Sequence, residues 1–263
     1  MKPTDRSWLF STKLTQLAVA MTVLGAAVMP CTAAQTDWSK VATALGKSGA
    51  EMPGGVYRVG LPRADLHVTL DGVELKPGFA LGSWLAFRSE GSETMVMGDL
   101  VLTEAGIAPV MTKLADGGID ITALHNHLLR AQPATFYMHV LGRGDATTLA
   151  TALHDGLVLS KTPLGNAGSG NAATSQTIAL DTAMIDSTLG AKGRTAGGVY
   201  QFGIPRAETI KDDGMDVPVA MGTAEAINFQ PTGDGRAAIT GDFVLTAAEV
   251  IRCCAPCART ASR

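Results

Sequence analysis

The stretch GGVYRVGLPRA at residues 54–64 returns almost unchanged as GGVYQFGIPRA at residues 197–207. A second pair, GDLVLT at residues 98–103 and GDFVLT at residues 241–246, repeats at the same displacement of 143. Two matches at one displacement mark an internal duplication, and a duplication decides the architecture before any single element is assigned. Between the copies lies KTPLGNAGSGNAATSQT, residues 161–177. Its small polar residues have no apolar face to bury, so it reads as a flexible linker.

Each copy follows one grammar. LHVTL (66–70), SWLAFR (83–88) and TMVM (94–97) are short runs separated by turn residues such as Asp71-Gly72, which predicts strands. Asp99 and Thr103 then lead into a helix with Thr103 as its N-cap and Gly117-Gly118 as its stop. Pro109 either kinks that helix or marks its first turn. TAAE (246–249) in the second copy is a capping box at the equivalent start. IDITALHNHLL (119–129) and ATFYMHVLG (134–142) predict two further strands around a loop with Pro133. A last helix is expected from Asp145 to His154, stopped by Gly156. Two strands, a helix, two strands and a helix make an α+β layer, with helices covering one face of a mainly antiparallel sheet.

The match between copies ends where IRCCAPCARTASR (251–263) begins. The second copy is therefore expected to be truncated or frame-shifted, leaving an unfinished sheet with an unpaired edge. The expected organisation is a signal peptide at 1–34, a complete repeat at 35–160, the linker at 161–177, a truncated repeat at 178–250 and an aberrant tail at 251–263. Cys254-Ala-Pro-Cys257 would be a redox or metal motif only between a strand and a helix, and no such context is visible.

With 46% hydrophobic and 17% charged residues the composition is globular, and a net charge of −3 argues against a nucleic-acid partner. At the N-terminus Lys2, Arg6 and Lys13 accompany an apolar run at 17–29. Thr32 and Ala34 stand at the two positions a signal peptidase inspects. Cleavage after Ala34 is expected, because the apolar run is shorter than the ~20 residues of a membrane span. The alternative is a retained anchor helix. Cys31 is a poor lipidation site with Pro30 before it. The mature chain is expected in the periplasm or outside the cell, without a membrane span.

VGLPRADLHVTLDGV, SWLAF, VMGDLVLTE and the block TALHNHLL followed by a strand with MH resemble the LppY/LpqO family. The resemblance runs from about Val41 to Leu157 and again from Leu189 to Val250. It implies a secreted or lipid-anchored bacterial protein, a tandemly duplicated domain and no established activity.

The candidate chemistry lies in five histidines. His125 and His127, two apart on a strand, share a face with Cα atoms ~6.6 Å apart. His139 on the next strand stands beside them if the strands pair antiparallel. Three neutral imidazoles are a ligand set for a divalent transition metal such as Zn²⁺, with an open position for water. His67, Asp65, Asp99 or Asp120 would complete or orient the set. The alternative is that the imidazoles simply pack and bond backbone. HNH here is not the spread ββα nuclease motif, and the cupin reading lacks its downstream Glu and second motif. Gly98-Asp99 reads as a turn or cap, and Arg63 and Arg206 as solvated or anion-binding arginines. The second copy has no histidine; Ile210 stands where the first has His67. The leading expectation is a binding module for an unknown small molecule or protein. The alternative is a metal-dependent hydrolase using His125, His127 and His139.

Overall fold

A computed structural model describes residues 36–165 and 177–252. The expected signal peptide, most of the linker and the cysteine-bearing tail lie outside the described residues. The first copy runs α1 (Trp38–Leu45), β1 (Ala50–Met52), β2 (Val56–Pro62), β3 (Thr69–Leu70), β4 (Val73–Glu74) and α2 (Pro77–Ala80). It continues through β5 (Gly82–Glu90), β6 (Glu93–Thr103), α3 (Glu104–Asp116), β7 (Asp120–His125), β8 (Thr135–Gly144) and α4 (Ala146–Leu159). The second copy gives α5 (Thr182–Leu189), β9 (Arg194–Ala196), β10 (Val199–Pro205), β11 (Ile210–Asp212) and β12 (Met215–Val217). A 3₁₀ turn (Val219–Met221), β13 (Ala224–Gly233) and β14 (Arg236–Asp242) follow, and residues 247–252 are again helical.

The first sheet has the order β1-β2-β5-β6-β8-β7, and the second β9-β10-β13-β14. Every ladder is antiparallel. The second sheet thus repeats the first four strands, and β7 and β8 have no counterpart among the described residues. This is the expected α+β class.

Alternation of side chains along the strands sorts the first sheet into two faces. Val59, Leu61, Leu85, Phe87, Leu100 and Val140 point to a helical layer, where Val41 and Leu45 of α1, Val110 and Leu114 of α3 and Leu153 and Leu157 of α4 close the core. Asp145 caps α4 by accepting from the Thr148 N–H at 2.8 Å, as the sequence suggests. Gly156, expected to stop this helix, instead lies within it. A Cβ there would fall 2.7 Å from buried Leu114, so the glycine serves the close crossing of α3 and α4.

The other face of the first sheet turns toward the second copy. The 3₁₀ turn rests on β2 and β5, while α2, at the equivalent place in the first copy, rests on β10 and β13. Met215, Val217 and Met221 pack on Val56, Ala86 and Met95, and Phe79 and Leu81 share a cluster with Val199. Each copy therefore lends its hairpin-and-turn segment to the other's sheet, the reciprocity of a two-fold dimer built within one chain. The described residues from 36 onward belong to one compact unit.

Other expectations shift. LHVTL contributes only the two residues of β3. Gly98-Asp99 is no turn or cap but the middle of β6, and Gly241-Asp242 closes β14. Arg63 is not solvated: it is 2% exposed. β7 ends at His125, so His127 lies in the following loop and not on the strand.

Candidate metal centre beside the cleft between the sheets

β7 joins the first sheet at its edge, pairing with β8 so that His125 opposes Tyr137 and Ala123 opposes His139. Partners across a ladder share a face, so His139 stands diagonally beside His125. The chain then leaves the strand, and Asn126 Nδ2 donates to the Thr135 carbonyl at 3.2 Å, folding the loop back over β8. This returns His127 to the same face, its ring 4.0 Å from that of Tyr137. Tyr137 is fixed in turn by its hydroxyl, which donates to the Ala80 carbonyl at 2.7 Å.

The three imidazoles converge. Ring centroids are 4.7 Å apart for His125 and His127 and 5.0 Å for His125 and His139. One nitrogen from each lies within 4.8 Å of the other two. A tetrahedral ion with bonds of about 2.1 Å needs nitrogens roughly 3.4 Å apart. Ring rotations moving each nitrogen by about an ångström would close the set.

Asp99 completes the row. It opposes His139 on β6, with Oδ2 4.0 Å from His139 Nε2, too long for a hydrogen bond. Its Oδ1 and His127 Nε2 are both buried without a hydrogen-bond partner, a rare condition for polar atoms. Burial, and then the charge of Asp242, push the Asp99 carboxyl up to about 7. Burial is also the main influence holding His127 and His139 below the usual imidazole range, with their histidine neighbours adding to it. Asp242 works against that lowering in both. Imidazoles so placed favour the neutral form, whose lone pair a metal requires.

Of the other candidates, Asp65 is taken up by Arg63 at 2.8 and 2.7 Å, and exposed His67 faces Glu74 at 3.2 Å. Asp120 stands at the far end of β7, opposite Leu141. His154 Nδ1 donates to the Leu45 carbonyl at 2.9 Å on the helical side. Asp242 reads in sequence only as half of the turn-or-cap pair Gly241-Asp242, not as a site residue. Its signal was there: it is Asp99 displaced by 143.

Asp99 and His127 help line a cavity of about 460 Å³ between the two sheets. Arg58 and Trp84 of the first copy and Arg194 and Asp242 of the second also line it. Among the described residues no helix is long and apolar enough to cross a membrane.

A family model described as Domain of Unknown Function (DUF1259) matches residues 39–158 and 183–259, one segment for each copy. No curated protein and no solved structure matches the chain.

Proposed function

Since the chain belongs to the Domain of Unknown Function (DUF1259) family, whose description carries no activity, we propose a function from the site: a metal-dependent binding protein. His125, His127 and His139 hold one divalent transition metal, Zn²⁺ being the type case, and a small molecule in the inter-sheet cleft reaches it. The observation that carries this reading is the convergence of three imidazole nitrogens within 4.8 Å beside a buried, unsatisfied carboxylate oxygen. Buried polar atoms without partners are costly, and a bound cation with its ligand would satisfy both His127 Nε2 and Asp99 Oδ1.

The resemblance to LppY/LpqO proteins and the signal-like N-terminus support a periplasmic or secreted location, where such a centre would load from the external metal pool. N-terminal sequencing of the exported protein should begin at Gln35.

Asp99 also favours a second reading, a hydrolase. A three-histidine metal supplies Lewis acidity and a water of lowered pKa. Asp99, facing the cleft next to His139, is placed to take the proton that such a water gives up.

Protein purified without a histidine tag and dialysed against chelator should regain one zinc per chain, measured by elemental analysis. At a free zinc level of 100 times Kd, linkage adds about 2.7 kcal/mol of stability, so the melting temperature should rise by about 5–10 °C. His125→Ala and His139→Ala should fold yet show neither the stoichiometry nor the rise. A wild-type chain whose melting is indifferent to zinc would end both readings.

A further inference from the structure

We propose that Arg58 and Arg194 form an oxyanion subsite at the end of the cleft away from the histidines, holding the phosphate or carboxylate group of an elongated small molecule. The reach of that molecule to the histidines rests on the metal reading above; the subsite does not.

The two guanidinium groups come from different copies, β2 and β9, and line the same cavity. They are close enough to repel: burial first, and then the charge of Arg194, lower Arg58 to about 10. Like charges are brought together at a cost, and five other arginines of this molecule are matched with acids. Arg63, Arg88, Arg130, Arg143 and Arg206 each have a carboxylate partner. Among the described residues Arg58, Arg194, Arg236 and Arg252 have none, and of these four only Arg58 and Arg194 line the cavity. An anion between them removes the repulsion, and the planar guanidinium fork suits two oxygens of one group.

Arg58 is also held in place. Its guanidinium carbon lies 4.1 Å from the centroid of the Trp84 ring, a cation–π contact, and one nitrogen donates to the Ala220 carbonyl. Trp84 is backed by Gly222 at φ +98°, where a Cβ would fall 2.7 Å from the indole. A side chain that long pays conformational entropy when it binds, and the stacking has already removed much of that freedom.

Distance sets the kind of ligand. β5 and β6 separate β2 from β8, so three strand spacings, ~14 Å, lie between the backbones of Arg58 and His139. A bare phosphate fills one end only. The cavity of about 460 Å³ is within the usual range for small-molecule sites.

Calorimetric titration of the full metal-free chain with inorganic phosphate, at fixed ionic strength, tests the subsite. Saturable 1:1 binding is expected. Arg194→Ala, which removes an exposed side chain, and Arg58→Gln, which installs the residue that the second copy carries at Gln201, should each weaken it tenfold or more. His139→Ala should leave it unchanged. Absence of saturable binding, or equal affinity in Arg194→Ala, overturns the subsite. A probe with anions at both ends, 4-phosphonobutyrate, reads the link to the histidines. Zinc should tighten its binding to the wild type and not to His139→Ala. Indifference to zinc with phosphate binding intact overturns the bridging ligand and leaves the two ends as separate sites.

Discussion

Arg63 is among the largest side chains to be fully buried, and it carries a charge. Its Nε and one terminal nitrogen grip both oxygens of Asp65, while the other donates to the Val101 carbonyl at 2.6 Å, tying β2 to β6. Arg206 repeats the clamp 143 residues later, to Glu208 and to the Val244 carbonyl. Burial acts to raise the Asp65 carboxyl, but the hydrogen bond and charge of Arg63 outweigh it and hold it below the ordinary range. Arg63→Ala should cost about 2–4 kcal/mol, read from urea unfolding. The loss stays below that of an orphaned buried charge because the Asp65 side chain is 30% exposed. Arg63→Lys should recover part of it, having the charge but not the fork. In sequence Pro-Arg reads as a solvated strand edge, since one residue does not announce its burial. The recurrence of an acid two positions later, Asp65 and Glu208, was the available sign of a clamp. Asp242 likewise reads only as half of a turn pair, while the nearness of His125 and His139 was legible because antiparallel pairing alone brings them together.

At the scale of elements, period and punctuation carried well and termini less well. β5, α3 and β8 stand where the alternation, the Thr103 start and the Gly117 stop place them, while β6 runs on past Met97, through Gly98-Asp99, to Thr103. β7 stops short of His127 because the Asn126 side chain takes the Thr135 carbonyl that a continuing ladder would use, a tertiary choice invisible to a two-residue period. Gly98 was read as a turn glycine, whereas it permits close strands: a Cβ there would lie 2.7 Å from the Trp84 carbonyl. Half of the capping box formed: Glu249 reaches back, while its own N–H donates to the Thr246 carbonyl at 2.9 Å and not to the hydroxyl. Glu249 accepts from the Thr246 N–H and hydroxyl, both at 2.7 Å, and from Arg206 at 3.0 Å. The Arg206 hydrogen bond above all, and then Thr246, lower its carboxyl to about 2. A depressed carboxylate stabilises the fold above its unfolded pKa and loses that contribution as pH falls toward the folded value. The urea midpoints of wild type and Glu249→Gln should therefore differ by a constant amount above pH ~5, with the gap narrowing steadily from there to pH ~3. A gap unchanged over that interval would mean the carboxylate charge plays no part in holding the helix start.

For the molecule as a whole, duplication was legible but the reciprocal embrace of the copies was not, because the polar contacts that make it are largely amide and guanidinium side chains meeting backbone groups, which no sequence pattern announces. Gln230 is 3% exposed and uses both ends of its amide, donating to the Glu74 carbonyl at 2.8 Å and accepting from the Lys76 N–H at 2.9 Å. Asn228 and Gln201 donate to the carbonyls of Phe79 and Gly78. The helical layer of α1, α3 and α4 covers one face of the first sheet, and on its other face, where Phe79 of α2 also packs, the second copy's Met215, Val217 and Met221 cover Val56, Ala86 and Met95. Neither copy can release the other without exposing that surface, so the two should unfold together. Far-UV circular dichroism and tryptophan fluorescence should report one coincident transition in urea. Gln230→Leu keeps the volume but strands two half-buried backbone groups, at about 1–3 kcal/mol. If the copies are coupled, the entire transition shifts to lower urea with its slope unchanged. If they stood as independent domains, the variant would instead split off an early phase belonging to the second copy, and the cleft with its metal and anion ends would have no fixed geometry to offer.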